Sequence, residues 1–246
     1  MASVETWFWI LLFVVALPAL AVGGALLVRR TVGTDVLAHH NDVAGFIYAV
    51  VGVVYAVLLG FTAIIVWGQY RHAQEGVANE ANALVDLYRD SRGFPPEVRN
   101  AVELHVRTYA RLVVEKEWPA MAEGKSHSEA WDEYNRIWRT YHEFKPSDDY
   151  QRLWYAESLQ RLNALADWRR DRLLSLRSGV PMVMWGVLIG GGAITIGFSF
   201  LFGTRNAHAQ ASMIAGLALT IGVVMLSIVA LQEPFAGMTP VDPGPL

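Results

Sequence analysis

One face of the chain's second apolar run carries polar and small residues at helical spacing. They are Asn41, Gly45, Tyr48, Gly52, Tyr55, Leu59, Thr62, Val66 and Gln69, in alternating steps of four and three. Asn41, Tyr48, Tyr55, Thr62 and Gln69 recur every seven residues, which keeps them on one side of a helix. Hydrocarbon offers hydroxyls, an amide and bare backbone no partner, so this face is expected to meet protein or water. Two chemistries fit it. In a pore wall, rings of Tyr48, Tyr55 and Thr62 from several copies would replace part of an ion's hydration, and Leu59 and Val66 would form a dewetting constriction. In a helix–helix seam, the tyrosines would bond neighbouring backbone instead. The sequence leaves both readings open.

Past the apolar run the same helix carries Arg71, His72, Glu75 and Glu80, candidates for the wall of a vestibule. With Asp86 and Asp90 the stretch is net acidic if these side chains face inward, which suits cations better than anions. At the other mouth, His39-His40-Asn41-Asp42 has groups that bind transition metals or titrate between about pH 5 and 8. Such a loop is more simply solvated or capping, with Asp42 as the helix N-cap. No resident metal or cofactor is expected. Catalysis finds no foothold either: there is no Gly-rich phosphate loop, metalloprotease helix, serine elbow or pair of intramembrane carboxylates. The chain therefore reads as a non-enzyme. The spans hold no acid or base at mid-depth, which argues against proton-coupled transport. A net charge of −3 gives no reason to expect nucleic acid, and the absence of cysteine excludes disulfides and thiol chemistry.

The elements that must position these groups follow from hydropathy. Of 246 residues, 53% are hydrophobic, concentrated in four runs without Lys, Arg, Asp or Glu: Trp7 to Val28, Val43 to Trp67, Val180 to Phe202 and Ala207 to Leu231. Each reaches the roughly 20 residues that cross a hydrocarbon core. The fold class predicted is all-α, with four transmembrane helices and a helical extramembrane domain between the second and third. The first run is too long, and too poor in preceding basic residues, for a cleaved signal peptide. The boundaries expected are residues 1–67 for the first two spans, 68–179 for the domain, 180–232 for the last two spans and 233–246 for a tail.

Within the domain, the second span is expected to continue as helix to Gly93. A new helix is expected after Pro95-Pro96 and to end near Trp118-Pro119. Ser126 and Glu129 suggest a capping box, and Lys145-Pro146 a break. A last helix is expected to run through Leu153 to Leu176 into the third span. There Gly186 and Gly190 have the small-xxx-small spacing of close helix packing. The aromatic helix Trp131 to Phe144 suits a core or a subunit contact. Phe235 is expected to anchor in the membrane interface or a neighbouring subunit, and Glu233 to pair with Arg177. Arg71, Arg169, Arg170, Arg172 and Arg177 flank the spans on the domain side, against Arg29, Arg30 and Arg205 in the short loops. Five against three favours a cytoplasmic domain and termini, while the weight of short loops leaves the opposite orientation open.

The stretch Asn41-Asp42-Val43-Ala44-Gly45-Phe46-Ile47-Tyr48 leads into Gly52-Val53-Val54-Tyr55-Ala56-Val57-Leu58-Leu59-Gly60-Phe61. Val66-Trp67, Tyr70, Glu80-Ala81-Asn82-Ala83-Leu84, Leu87-Tyr88-Arg89 and the closing Glu233-Pro234-Phe235-Ala236-Gly237 follow. Together they resemble the bestrophin-like family of bacterial membrane proteins, a family without an assigned activity and with a remote similarity to bestrophin anion channels. The resemblance covers nearly the whole chain. It implies a homo-oligomer, pentameric in bestrophins, in the inner membrane with lipids around it. It also implies a pore for permeant ions lined by the second span, anion-selective by likeness alone. A cation channel, or a non-conducting scaffold or signalling protein acting through the helical domain, remains the alternative.

Overall fold

The computed structural model describes residues 4–39 and 41–246, and among them every regular element is helical. Four helices are long and apolar enough to cross a membrane: Val4–Val32, Asn41–Gly93, Met182–Ser199 and Ala207–Leu231. The chain divides into two compact units. One contains residues 1–68 and 179–232, the other residues 69–178 and 233–246.

The first span is built from α1 (Val4–Ile10), a π-helical segment (Leu11–Ala16) and α2 (Leu17–Val32). The π segment answers a proline. Leu17 N–H reaches back five residues to Leu12 O, and Pro18 follows at once with no N–H to give. Widening one turn lets the helix continue past the missing donor without the clash a proline brings to an α turn. The freed Phe13 carbonyl sits against Gly222 of α10 (Ala207–Leu231), the only kind of residue whose backbone can come so close.

After α3 (Thr34–His39) comes α4 (Asn41–Asp90), 50 residues of unbroken helix that include the second span. A 3₁₀ turn then carries the chain to Gly93, where the spacing predicted the end. Asp42 is not the N-cap, because the helix already includes Asn41. The third and fourth spans are α9 (Met182–Ser199) and α10. Arg29 ties the end of α2 to the turn between them, donating to Thr204 O at 2.7 Å and to Gln210 Oε1 at 3.0 Å.

In the second unit, α4 meets α5 (Pro96–Leu112), α6 (Trp118–Ala122), α7 (Glu129–Glu143) and α8 (Asp149–Ser175). Pro96 opens α5 at the position where a proline costs nothing. The expected stop at Trp118-Pro119 is not a stop. A second π segment, Val113–Glu117, precedes it, Trp118 N–H bonds Val113 O, and the helix continues into α6. Both π segments thus solve the same local problem. The Ser126–Glu129 capping box does not form, since α7 has Ser128 at its N-cap with no side-chain bond. Nor does α8 run into the third span. It ends at Ser175, and Pro181 starts a new helix after a short break. The last residues are no free tail: Phe235 and Val241 are buried in the core of this unit, and Phe235 meets the Trp118 ring edge-on at 5.5 Å. Glu233 and Arg177 share the wall of one groove. Of the aromatic helix, Tyr134, Ile137 and Tyr141 face the core, while Trp131 and Trp138 remain partly exposed.

Candidate functional site

The polar stripe of α4 runs antiparallel along α9 of the same chain. At its start the Asn41 amide makes a two-way bond with the Gly203 backbone, donating to its carbonyl at 2.9 Å and accepting from its N–H at 3.1 Å. Gly45 then passes Phe202, and the Tyr48 ring stacks on Phe198 at 6.0 Å and meets Phe202 edge-on at 5.4 Å. Gly52 is half-buried. Tyr55 is 5% exposed and donates its hydroxyl to Leu188 O at 3.1 Å. Its ring fills the notch left by Gly191 and Gly192: a β-carbon on Gly191 would lie 2.6 Å from the ring. Leu59, Thr62 and Val66 are buried along the same line, with Thr62 returning its hydroxyl to Leu58 O at 2.9 Å. Gln69 is half-buried, with its Oε1 unpartnered.

The close packing on α9 therefore comes from Gly191 and Gly192. Gly186 and Gly190, whose spacing suggested that role, have open space where a β-carbon would go. The opposite face of α4 repeats the same alternation with Phe46, Val50, Val53, Val57, Gly60 and Ile64, and all six are exposed. His40, and the side chain of His39, fall outside what the structure describes. Among the described residues no cluster of His, Asp and Glu could hold a metal ion.

The acidic residues beyond the span are not an open wall. Arg71 and Glu75 pair with each other at 2.9 Å on the surface, and His72 Nε2 lies 2.8 Å from Asp171. Asp86 faces Arg161 at 3.6 Å. Glu80 is a correction to the vestibule reading: it is fully buried inside the bundle. Its two oxygens take Arg172 Nε at 2.6 Å and Nη2 at 3.1 Å, and one also accepts the Tyr109 hydroxyl at 2.7 Å. Arg172 Nη2 reaches Glu117 at 2.8 Å as well, and the second Glu117 oxygen holds Arg169 at 2.5 Å. Two carboxylates and two guanidiniums thus form a closed, formally neutral network linking α4, α5, the second π segment and α8. Burial works against the Arg172 charge, but Glu80 and Glu117 outweigh it and raise its pKa above the ordinary value. Burial, then the Glu80 charge, lifts the Tyr109 phenol well above its usual range.

Sequence reasoning counted Arg169 and Arg172 as membrane-flanking charges and missed this network. A signal was present. On α8, Ser158, Leu162, Leu165, Arg169 and Arg172 continue one four-three alternation, so both arginines fall in phase with buried leucines. A charge in an apolar phase implies a buried partner.

Asp90 has no such partner. It is 8% exposed, and its Oδ2 is buried without a hydrogen bond. Burial, followed by Glu157 and Asp86, raises its pKa, and Arg161 only partly offsets them. An acid with a raised folded-state pKa contributes its stability below the ordinary aspartate pKa and loses it as pH rises through the raised value. Asp90→Asn should therefore stabilise the chain by about 1 kcal/mol at neutral pH. The gain should vanish near about pH 3, where Asp90 is protonated in both states. Thermal unfolding at the two pH values checks this, and an equal gain at both would refute the charge argument.

The elements define an all-α membrane protein with four span-length helices and a helical unit between the second and third. The chain belongs to the bestrophin-like family: the family model, described as a Bestrophin-like domain, matches residues 15–246. No curated protein and no solved structure matches it.

Proposed function

We propose that the protein is a homo-oligomeric ion channel whose conducting path runs along its second span, with anions as the permeant species. Family membership over residues 15–246 carries the reading. Bestrophins, to which the family is remotely similar, are ring-shaped anion channels with four spans per subunit and a pore lined by the second. A five-fold ring in the inner membrane, with the helical unit and termini cytoplasmic, follows from the same likeness. The ion pairing of α4 supports anions, because Glu75, Asp86 and Glu80 are paired with Arg71, Arg161 and Arg172. Two faces of α4 are candidates for the wall. The Tyr48–Tyr55–Thr62 face would have to leave α9 and give up the Tyr55 bond to Leu188. The Phe46–Val53–Val57–Ile64 face is already bare, so we assign the wall to it. An apolar wall of this kind gates by dewetting.

The test is flux from vesicles reconstituted with the full chain. Val57→Ser should raise chloride flux by about tenfold by wetting the constriction, while Thr62→Val should leave it unchanged. The reverse pattern would return the wall to the polar stripe. No flux of chloride or potassium from an intact oligomer would favour the second reading, a non-conducting scaffold acting through its helical unit. That reading has one observation of its own: the polar stripe is already used in the seam with α9.

A further inference from the structure

A groove of about 560 Å³ lies between α8 and the loop before α7. Its wall has three arginines, Arg169, Arg170 and Arg177, and no carboxylate, with Trp131, Leu173 and Leu174 among its apolar groups. The arginines differ in what already holds them. Arg170 is paired at 3.0 Å with Asp167, a pair in water on both sides. Arg177 is exposed and makes no ion pair among the described residues. On its far side a second groove brings Glu123 and Glu233, of which Glu123 is held by Lys125 at 2.9 Å.

Arg169 is the unusual member. It is 8% exposed, stacks over the Trp131 ring at 5.4 Å and gives Nη2 to Glu117 at 2.5 Å and to His127 O at 3.3 Å, yet its Nε is buried with no hydrogen-bond partner. A buried N–H without an acceptor is costly, and one in a native fold calls for an explanation. Leu174, 60% exposed beside these charges, adds an apolar strip. Arg177 stands five residues before Met182, where the third span begins. Five residues of chain reach at most about 17 Å, so Arg177 is tethered to that span by no more than this length.

We propose that this groove binds the phosphate of an anionic phospholipid. Arg170 and Arg177 grip the phosphate oxygens, Arg169 adds its unpaired donor, and Leu173 and Leu174 lie along the glycerol and first acyl carbons. Guanidinium forks match phosphate geometry in pairs, and a lipid is the source of phosphate that also uses the leucines. The site is independent of whether the protein conducts.

The test uses the purified full chain in detergent, followed by thermal unfolding with inorganic phosphate, with phosphatidylcholine and with phosphatidylglycerol in mixed micelles. Phosphatidylglycerol should raise the midpoint in a saturable way. The double variant R170Q/R177Q should need about tenfold more of it for half-effect. R89Q/R92Q, which removes the same charge from exposed positions elsewhere, should behave as the native chain. Should the double variant fail to fold, Arg177→Gln alone serves. Saturable stabilisation by inorganic phosphate, lost in R170Q/R177Q, would also support a phosphate site and assign it to the free ion. No response to either phosphate source would overturn the proposal. So would equal stabilisation by phosphatidylcholine, or equal loss in R89Q/R92Q.

Discussion

Arg172→Met is expected to destabilise the helical unit by about 3–5 kcal/mol, a large part of the whole stability of an ordinary domain. The side chain is fully buried and makes three hydrogen bonds to Glu80 and Glu117. Removing it leaves two buried carboxylates facing one remaining guanidinium, Arg169. The loss reflects those stranded charges more than the value of the ion pair itself, because bringing all four groups out of water was costly in the first place. The double change Arg172→Met, Glu80→Gln, which leaves Glu117 paired with Arg169, should therefore recover much of what the single change loses. Thermal melting by circular dichroism, with limited proteolysis of the unit, reads both. If the single variant melts with the native chain, the network is not what clamps α4 to α8.

Gly222→Val is expected to be the most damaging change inside the membrane unit, at about 1–3 kcal/mol or more. A β-carbon at Gly222 would land on the Phe13 carbonyl, which is backbone and cannot rotate away. That carbonyl is free because Leu17 N–H goes back to Leu12 and Pro18 has no donor. Gly216→Val on the same helix is the matched control, since Gly216 has open space at its β-position. In detergent, the Gly222 variant should lose its folded midpoint by several degrees while the Gly216 variant does not. Equal behaviour of the two would mean that α10 and the first span do not meet at this carbonyl.

The sequence by itself determined whatever depends on neighbours along the chain. The four spans follow from runs without a charge, the helix start at Pro95-Pro96 from proline's fixed geometry, and the reach of α4 to Gly93 from the spacing of Val77, Ala81 and Leu84. The periodic stripe of α4 was legible for the same reason, as were the motifs of the family. Prolines inside helices misled it: Trp118-Pro119 reads as a stop, but a π turn absorbs the missing donor, and the cost of that turn depends on what packs beside it. The Ser126 box and the unbroken path from α8 into the third span failed likewise, since a local signal competes with packing.

Only the tertiary structure decided what each face meets. Arg172 finds its partner 92 residues away in Glu80, and Tyr55 finds Leu188 across 133. A stripe states that one side of a helix must not face hydrocarbon, yet water in a pore and glycine on a neighbouring span satisfy that demand equally. The choice between them lies in distances between helices, which no spacing within one helix encodes.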